Sequence, residues 1–366
     1  MSNSRFRLHK YYYLYFASWI NRVRRCIPIN RSLLIAKFDG IGDLFLILPV
    51  LRKLLDTGYH ITMAGAPFQK EVLAHCNLPV DTITFDRTTL HSLKHTIAKA
   101  SLCKPEYAIN LSMNAWGGIL VNHSRSPHMI GLLQEPEWYV YKGTHLLYDR
   151  TITYETTLHG FDTAWRLFNE LLGIAPVEPF LELPTSENGI IIIHPYSSWE
   201  PRRWPGFIDL IRRLVDKKCK IIVLGTAMEH ETGGIVAHLP RSENCMPVKV
   251  ASVTHLMHII DACHFFIGND SGPAHYASII GKPTFVLWGP GNFDRVRPLG
   301  KNLYFFKKDI ACRPCRQRGN TCKKGTSECL RAISVDEVME TVCSRIGFSK
   351  TLAGPTPATS ALTSYL

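Results

Sequence analysis

The sequence predicts an α/β protein of two domains, each a mainly parallel sheet covered by helices. Short β-branched and apolar runs alternate with helical segments along the chain, the order that βαβ units produce. That pattern restarts after a proline- and polar-rich connection near residues 180–189, which reads as a domain boundary. At 366 residues the chain has the length for two domains of about 150 residues each.

In chain order, Leu33-Leu34-Ile35-Ala36 reads as a strand, then a glycine-containing turn, then an apolar helix from about Leu44 to Leu55. Ile61–Ala64, Thr82–Phe85 and Tyr107–Leu111 read as further strands. The stretch after them, with Gly117-Gly118, Pro127 and Pro136, reads as loop-rich. The second half opens on Ile190-Ile191-Ile192-Ile193, a continuous β-branched run that marks a strand buried on both faces. A helix over about Pro205–Asp216, strands at Lys220–Leu224 and up to Gly268, and the run Thr284–Trp288 complete it. Residues 31–185 and 186–347 are the expected domains, and the Ser/Thr/Pro-rich tail 348–366 the expected disorder.

Composition narrows the function. Hydrophobic content of 46% and charged content of 20% suit a globular protein with real cores. No run is long and apolar enough to span a membrane, and no secretory leader is legible, so function is expected on the cytoplasmic side. The net charge of +12 is uneven: Arg5, Arg7, Lys10, Arg22, Arg24, Arg25, Arg31 and Lys37 all precede the first acid, Asp39. Between them lies Tyr11-Tyr12-Tyr13-Leu14-Tyr15-Phe16, followed by Trp19-Ile20. A basic, aromatic segment over residues 1–30 suits an anionic membrane surface; an ordinary helix packed on the domain is the other reading. No nucleic-acid-binding motif accompanies the charge.

Ligands of open parallel sheets sit beyond the carboxyl ends of the strands, and three such ends carry chemistry. The first is Asp39-Gly40-Ile41-Gly42-Asp43, where Asp43 opens a helix as a cap or as a reactive acid; the third glycine of a dinucleotide fingerprint is missing. The second is His194-Pro195-Tyr196-Ser197-Ser198, then Arg202-Arg203-Trp204-Pro205, whose hydroxyls and guanidiniums suit phosphate oxygens. The third is Gly268-Asn269-Asp270-Ser271-Gly272-Pro273. Its proline suits a first helical turn, and its small residues leave amide hydrogens for an anion. His275 suits a buried helix position as readily as a ligand.

Together these strand ends, in order and spacing, resemble glycosyltransferase family 9, the heptosyltransferases of the lipopolysaccharide inner core, over roughly residues 32–345. The Ile41-Gly42-Asp43 turn, Pro49, the signature from Gly268 to Ala277 and Gly281-Lys282-Pro283 carry the likeness. It implies a GT-B fold: two Rossmann-like domains facing each other across a cleft, the first for the acceptor and the second for the nucleotide-sugar. It implies Asp43 as general base for an inverting attack on the anomeric carbon. Ser197 and Ser198 would bind the donor diphosphate, and Glu229 the ribose. Asp270, Ser271, Gly272 and His275 would complete the donor site. Arg202 stands where the family has lysine, which keeps the charge but changes its geometry, and Arg203 could share the role. No Asp-x-Asp pair occurs, so charge on the leaving group falls to Arg202 and amide hydrogens, and catalysis needs no cofactor.

Four of the eleven cysteines cluster as Cys312, Cys315, Cys322 and Cys329. Such a set suits a structural Zn or Fe site on the loop 312–329, with ordinary thiols in a packed loop as the other reading. The leading expectation is transfer of heptose from ADP-heptose to a lipid-linked lipopolysaccharide core saccharide, by a cytoplasmic enzyme resting on the inner membrane. The alternatives are a protein-directed (autotransporter) heptosyltransferase, whose branch carries a four-cysteine iron, and a non-catalytic relative that binds nucleotide or lipid.

Overall fold

The computed structural model describes residues 20, 25–85, 90–112, 114–134, 144–154, 157–181, 183, 189–232, 234–315, 322 and 324–346. The basic aromatic stretch, except Ile20 and the residues from Arg25 on, and the tail 348–366 lie outside the described residues. The chain divides into two compact units, Met1–Val177 and Glu178–Leu366.

The first unit contains β1 (Ile29–Lys37), α1 (Ile41–Asp56), β2 (His60–Gly65), α2 (Phe68–His75), β3 (Asp81–Thr84) and α3 (Leu90–Leu102). It continues with β4 (Pro105–Asn110), α4 (Ala115–His123), β5 (His128–Gln134), β6 (Arg150–Tyr154) and α5 (Gly160–Leu172). Its strands pair in parallel in the order β3-β2-β1-β4-β5-β6. The second unit contains β7 (Ile190–His194), α6 (Phe207–Asp216), β8 (Lys220–Gly225), α7 (Ala227–Thr232), β9 (Cys245–Lys249) and α8 (Val253–Asp261). Then come β10 (Phe265–Asn269), α9 (Gly272–Ile279), β11 (Thr284–Trp288), α10 (Phe293–Val296), β12 (Leu303–Lys307), α11 (Glu328–Arg331) and α12 (Val335–Ile346). Its order, β12-β11-β10-β7-β8-β9, repeats the first topology, again all parallel.

The isoleucine run of β7 behaves as its composition demands. Ile191 and Ile193 join the core formed with Phe207, Leu210, Ile211 and Leu214 of α6 and with Val338 and Val342 of α12. Ile192, on the opposite face, is equally buried. The four α6 residues recur at the spacing of one helical face, which is why that helix lies flat on the sheet.

Two expectations need correction. The region around Gly117-Gly118 and Pro127 is not loop-rich: it forms α4, β5 and β6. Its glycines are there for close packing, not for turns. A Cβ on Gly131 would lie 2.3 Å from the Tyr148 ring, and one on Gly118 2.6 Å from its hydroxyl. The buried Tyr148 fills the space these glycines leave and accepts a 2.8 Å hydrogen bond from Asn110. The boundary between units also falls earlier than expected, after Val177. The reason is that residues 180 and 181 already pack in the second unit: Leu181 N–H donates to Ile279 at 2.8 Å, and Lys301 Nζ sits 3.9 Å from the centre of the Phe180 ring.

Gly131→Ala is expected to destabilise the protein by about 1–3 kcal/mol through overpacking against Tyr148. Denaturant unfolding would register this, and an unchanged midpoint would contradict the packing.

Candidate active site

In both sheets the strand order reverses once, between β1 and β4 and between β10 and β7. The chain leaves adjacent strands toward opposite faces there, so the loops at their carboxyl ends part and leave a crevice. The chemistry expected from the sequence lies at these two points, one in each unit.

In the first unit, Asp39 and Asp43 follow β1, and the structure separates their roles. Asp39 is paired with Lys37 and accepts a 2.6 Å hydrogen bond from Ser112, at the end of β4. The Ser112 hydroxyl also accepts the Phe38 N–H at 2.6 Å, so it ties the two strand ends together. Asp43 lies in the first turn of α1, half-buried, with no hydrogen bond or ion pair among the described residues. Gly40, in extended conformation, is the N-cap of that helix, so Asp43 is not needed as one. Ser112 was not singled out in the sequence because it sits in a featureless run.

In the second unit, β7 and β10 bring two loops together. Asn269, fully buried, donates to the Pro195 carbonyl at 2.9 Å and accepts the Trp204 N–H at 2.9 Å. Arg203 Nε donates to the Ser197 carbonyl at 2.9 Å. These bonds hold the loop 194–204 against the end of β10. Ser197 is buried and Ser198 exposed, so the expected hydroxyl pair is split between the loop interior and solvent. Arg202 Nη1 lies 3.3 Å from Asp270 Oδ2, and its guanidinium lies 5.1 Å from the Trp199 ring centre. Gly291, in the loop after β11, closes over the same carboxylate: a Cβ there would lie 2.5 Å from Asp270 Oδ2.

Ser271 is the extended N-cap of α9, and Pro273 sits in the first turn. The amide hydrogens of Ser271 and Gly272 have no acceptor among the described residues, while those of Ala274 and His275 turn back to the Ser271 carbonyl. Two amides, the positive end of α9 and the adjacent Arg202 make an arrangement able to seat an anion. His275 is buried in α9 itself. His194, also buried, faces the mouth through a 3.4 Å contact between its Nδ1 and Ser271 Oγ. Burial lowers its pKa to about 4, so the ring is neutral at pH 7. Glu229 lies after β8, where its carboxylate accepts the Thr226 N–H at 2.8 Å while the Thr226 hydroxyl accepts the Glu229 N–H at 3.2 Å. That reciprocal pair is a capping box for α7, and it occupies one oxygen of the acid expected to bind ribose. Asn269 and His194 stood in the quoted motifs without a role.

Among the described residues no group of three or more His, Cys, Asp or Glu is placed to hold a metal ion. Cys329 is drawn into the core of the second unit, where burial pushes its thiol up and disfavours the thiolate a metal needs. Cys322 has backbone N–H groups of Ser327, Lys324, Thr326 and Gly325 around its sulfur, which lower its pKa. Cys315 N–H is bonded to the Pro290 carbonyl at 3.0 Å, so this loop is tied to the one that covers Asp270.

The family model of glycosyltransferase family 9 (heptosyltransferase) matches residues 119–325, more than half of the chain. The chain belongs to glycosyltransferase family 9. The family match contains the loop 194–204, the α9 mouth and Glu229; Asp43 lies ahead of it. Lipopolysaccharide heptosyltransferase 2 of Escherichia coli K12 is 31% identical over 122 residues, a stretch of 31% of this chain and 35% of that enzyme. The chain therefore aligns in sequence with about a third of that relative. The structure of E. coli ADP-heptose lps heptosyltransferase II covers 87% of this chain and 100% of its own, with a TM-score of 0.70 at 17% identity. The iron-containing dodecameric glycosyltransferase TibC of enterotoxigenic E. coli H10407 covers 88% of this chain and 80% of its own, with a TM-score of 0.56 at 14% identity. These likenesses establish the GT-B fold read from the family 9 motifs.

A prediction follows from His194. The unfolded chain takes up a proton near 6.5 and the folded one only near 4, so stability is lost as pH falls through that window. The loss is on the order of 3 kcal/mol at this site. His194→Gln should flatten the fall in thermal midpoint between pH 6.5 and 4, and an identical pH profile for both proteins would refute the assignment.

Proposed function

We propose that this protein is an inverting glycosyltransferase that moves heptose from ADP-heptose to a hydroxyl of a lipopolysaccharide core acceptor. The anion seat at the α9 mouth carries this reading. The proposed role of that seat is to hold the donor diphosphate on the amides of Ser271 and Gly272. The leaving group is a diphosphate, and its growing negative charge is met by those amides and by Arg202 as the bond from the anomeric carbon breaks. Asp270, paired to Arg202 before a donor arrives, keeps the guanidinium aimed beside the seat. Membership of family 9 and the donor named for the E. coli enzyme favour heptose as the sugar.

Asp43 is the proposed base. It takes the proton of the acceptor hydroxyl as that oxygen attacks the anomeric carbon on the face opposite the diphosphate, which inverts the configuration. Asp39 is unsuited to the role because Lys37 and Ser112 already engage it. The protein-directed reading drew on the cysteine loop, of which Cys329 is taken into the core of the second unit. No helix among the described residues is long and apolar enough to cross a membrane. Contact with the inner membrane is proposed through the basic aromatic N-terminal segment, which leads into Ile27 and Ile29, exposed by 87% and 56%.

Calorimetric titration with ADP, UDP, GDP and CDP, then with ADP-heptose, tests the donor. Preference for ADP, with ADP-heptose tighter still, is expected; preference for another nucleotide would replace the donor, and binding of none would refute the enzyme reading. Asp43→Asn should reduce turnover by at least about a hundredfold while donor affinity stays within about twofold of the original. Substantial residual activity in a kinetic assay would remove Asp43 from the role.

A further inference from the structure

Two polar atoms on the segments that follow β7 and β8 are buried and have no hydrogen-bond partner among the described residues: the Tyr196 hydroxyl and His230 Nε2. Tyr196 has no exposed surface and His230 is 8% exposed. Their rings lie 5.6 Å apart, on the loop after β7 and on α7 after β8. Both edges converge over Gly225, the last residue of β8. A Cβ there would lie 2.5 Å from Tyr196 Cε2 and 2.6 Å from His230 Nε2.

The pair extends a row of contacts across the sheet. Ser271 at the α9 mouth touches His194, the His194 and Tyr196 rings are 6.1 Å apart, and His230 follows Glu229 in α7. The row runs over β10, β7 and β8, three neighbours in the sheet. The resemblance that assigns the ribose to Glu229, the neighbour of His230, would put the nucleoside at the far end of this row from the α9 mouth. Burial holds the phenol protonated, pushed up to about 12, and lowers the His230 pKa. The two groups therefore offer a hydroxyl and a neutral imidazole, each able to meet a ligand hydroxyl that both donates and accepts. Native proteins seldom leave such atoms unmet, since desolvation without a partner is costly.

We propose that Tyr196 and His230 are ligand-recognising residues that receive the vicinal hydroxyls of the donor's ribose beside Glu229, and so select ribonucleotides over deoxyribonucleotides. The inference rests on the nucleotide-sugar reading of this site. It assigns hydroxyl recognition to two residues for which the motifs gave no role. Glu229 keeps one carboxylate oxygen for the same task, the other being used to cap α7.

The test compares the affinities of the full-length protein and of Tyr196→Phe for ADP, 2′-deoxy-ADP and 3′-deoxy-ADP, together with unliganded melting temperatures. The original protein should bind ADP about tenfold more tightly than at least one deoxy analogue. Tyr196→Phe should bind ADP about tenfold more weakly, lose that discrimination, and melt no lower than the original without ligand, because it sheds a buried unmet hydroxyl. Should Tyr196→Phe fold poorly, His230→Leu reads the same discrimination. Retained discrimination in a folded variant, or none in the original protein, overturns the inference while leaving nucleotide binding intact. Failure of the original protein to bind ADP at all would overturn the donor reading and this inference with it.

Discussion

Asn269 is the residue on which the candidate donor site depends. It ends β10, and its one buried amide binds the Pro195 carbonyl and the Trp204 N–H on both arms of the loop after β7. The need arises from topology: strands that send their helices to opposite faces leave loops with unpaired backbone groups at the point of divergence, and burial requires those groups to be met. An amide side chain, with a donor and an acceptor on one short stem, meets one of each. The first unit faces the same problem between β1 and β4 and meets it with the Ser112 hydroxyl, shared between Phe38 N–H and Asp39. Everything proposed for the loop 194–204, including the reach of Arg202, presupposes that Asn269 is holding it.

Much of the fold was legible because a strand buried on both faces has little freedom of composition. Ile190–Ile193, Lys220–Leu224 and Thr284–Trp288 announce themselves, and β7, β8 and β11 lie there. The stretch holding α4, β5 and β6 was not legible, because Gly118 and Gly131 look like chain breakers when the ring that fills their space, Tyr148, is well over a dozen residues away. The site shows the same division. The α9 mouth follows from local sequence grammar, since caps, prolines and glycines act within a few residues. The pairing of Arg202 with Asp270, the cover of Gly291 over that acid and the engagement of Asp39 by Ser112 join residues some 20 to 75 positions apart. No local pattern encodes such distances. The cysteines show the same limit, since their spacing carried no information about Cys329 being taken into the core.

Among the described residues of the second unit, buried side-chain atoms without a hydrogen-bond partner include Tyr196 Oη, His230 Nε2 and Arg202 Nε on the segments that follow β7 and β8, and Arg313 Nε on the loop after β12. A protein selected for stability alone would replace or satisfy them. Their concentration at one end of one sheet is the pattern of a surface that gives up stability to be ready for a ligand.

The strictly parallel pairing of both sheets bears on how the chain must be made. Among the described strands no two are joined as a hairpin, so none can zip together locally and each pairing waits for a crossover to be completed, which makes such topologies slow. As the chain emerges from its amino end, β1 can pair with β2, and β2 with β3, but its other edge stays open until β4 follows, roughly seventy residues later. The second unit repeats the delay with a more apolar strand, since one edge of the isoleucine run of β7 has no neighbour until β10 is made. Nascent chains paused in that interval expose an unpaired, β-branched edge, the feature most prone to join another chain. Poor recovery at high expression temperature, relieved by slower synthesis or by chaperones, is the laboratory form of that constraint.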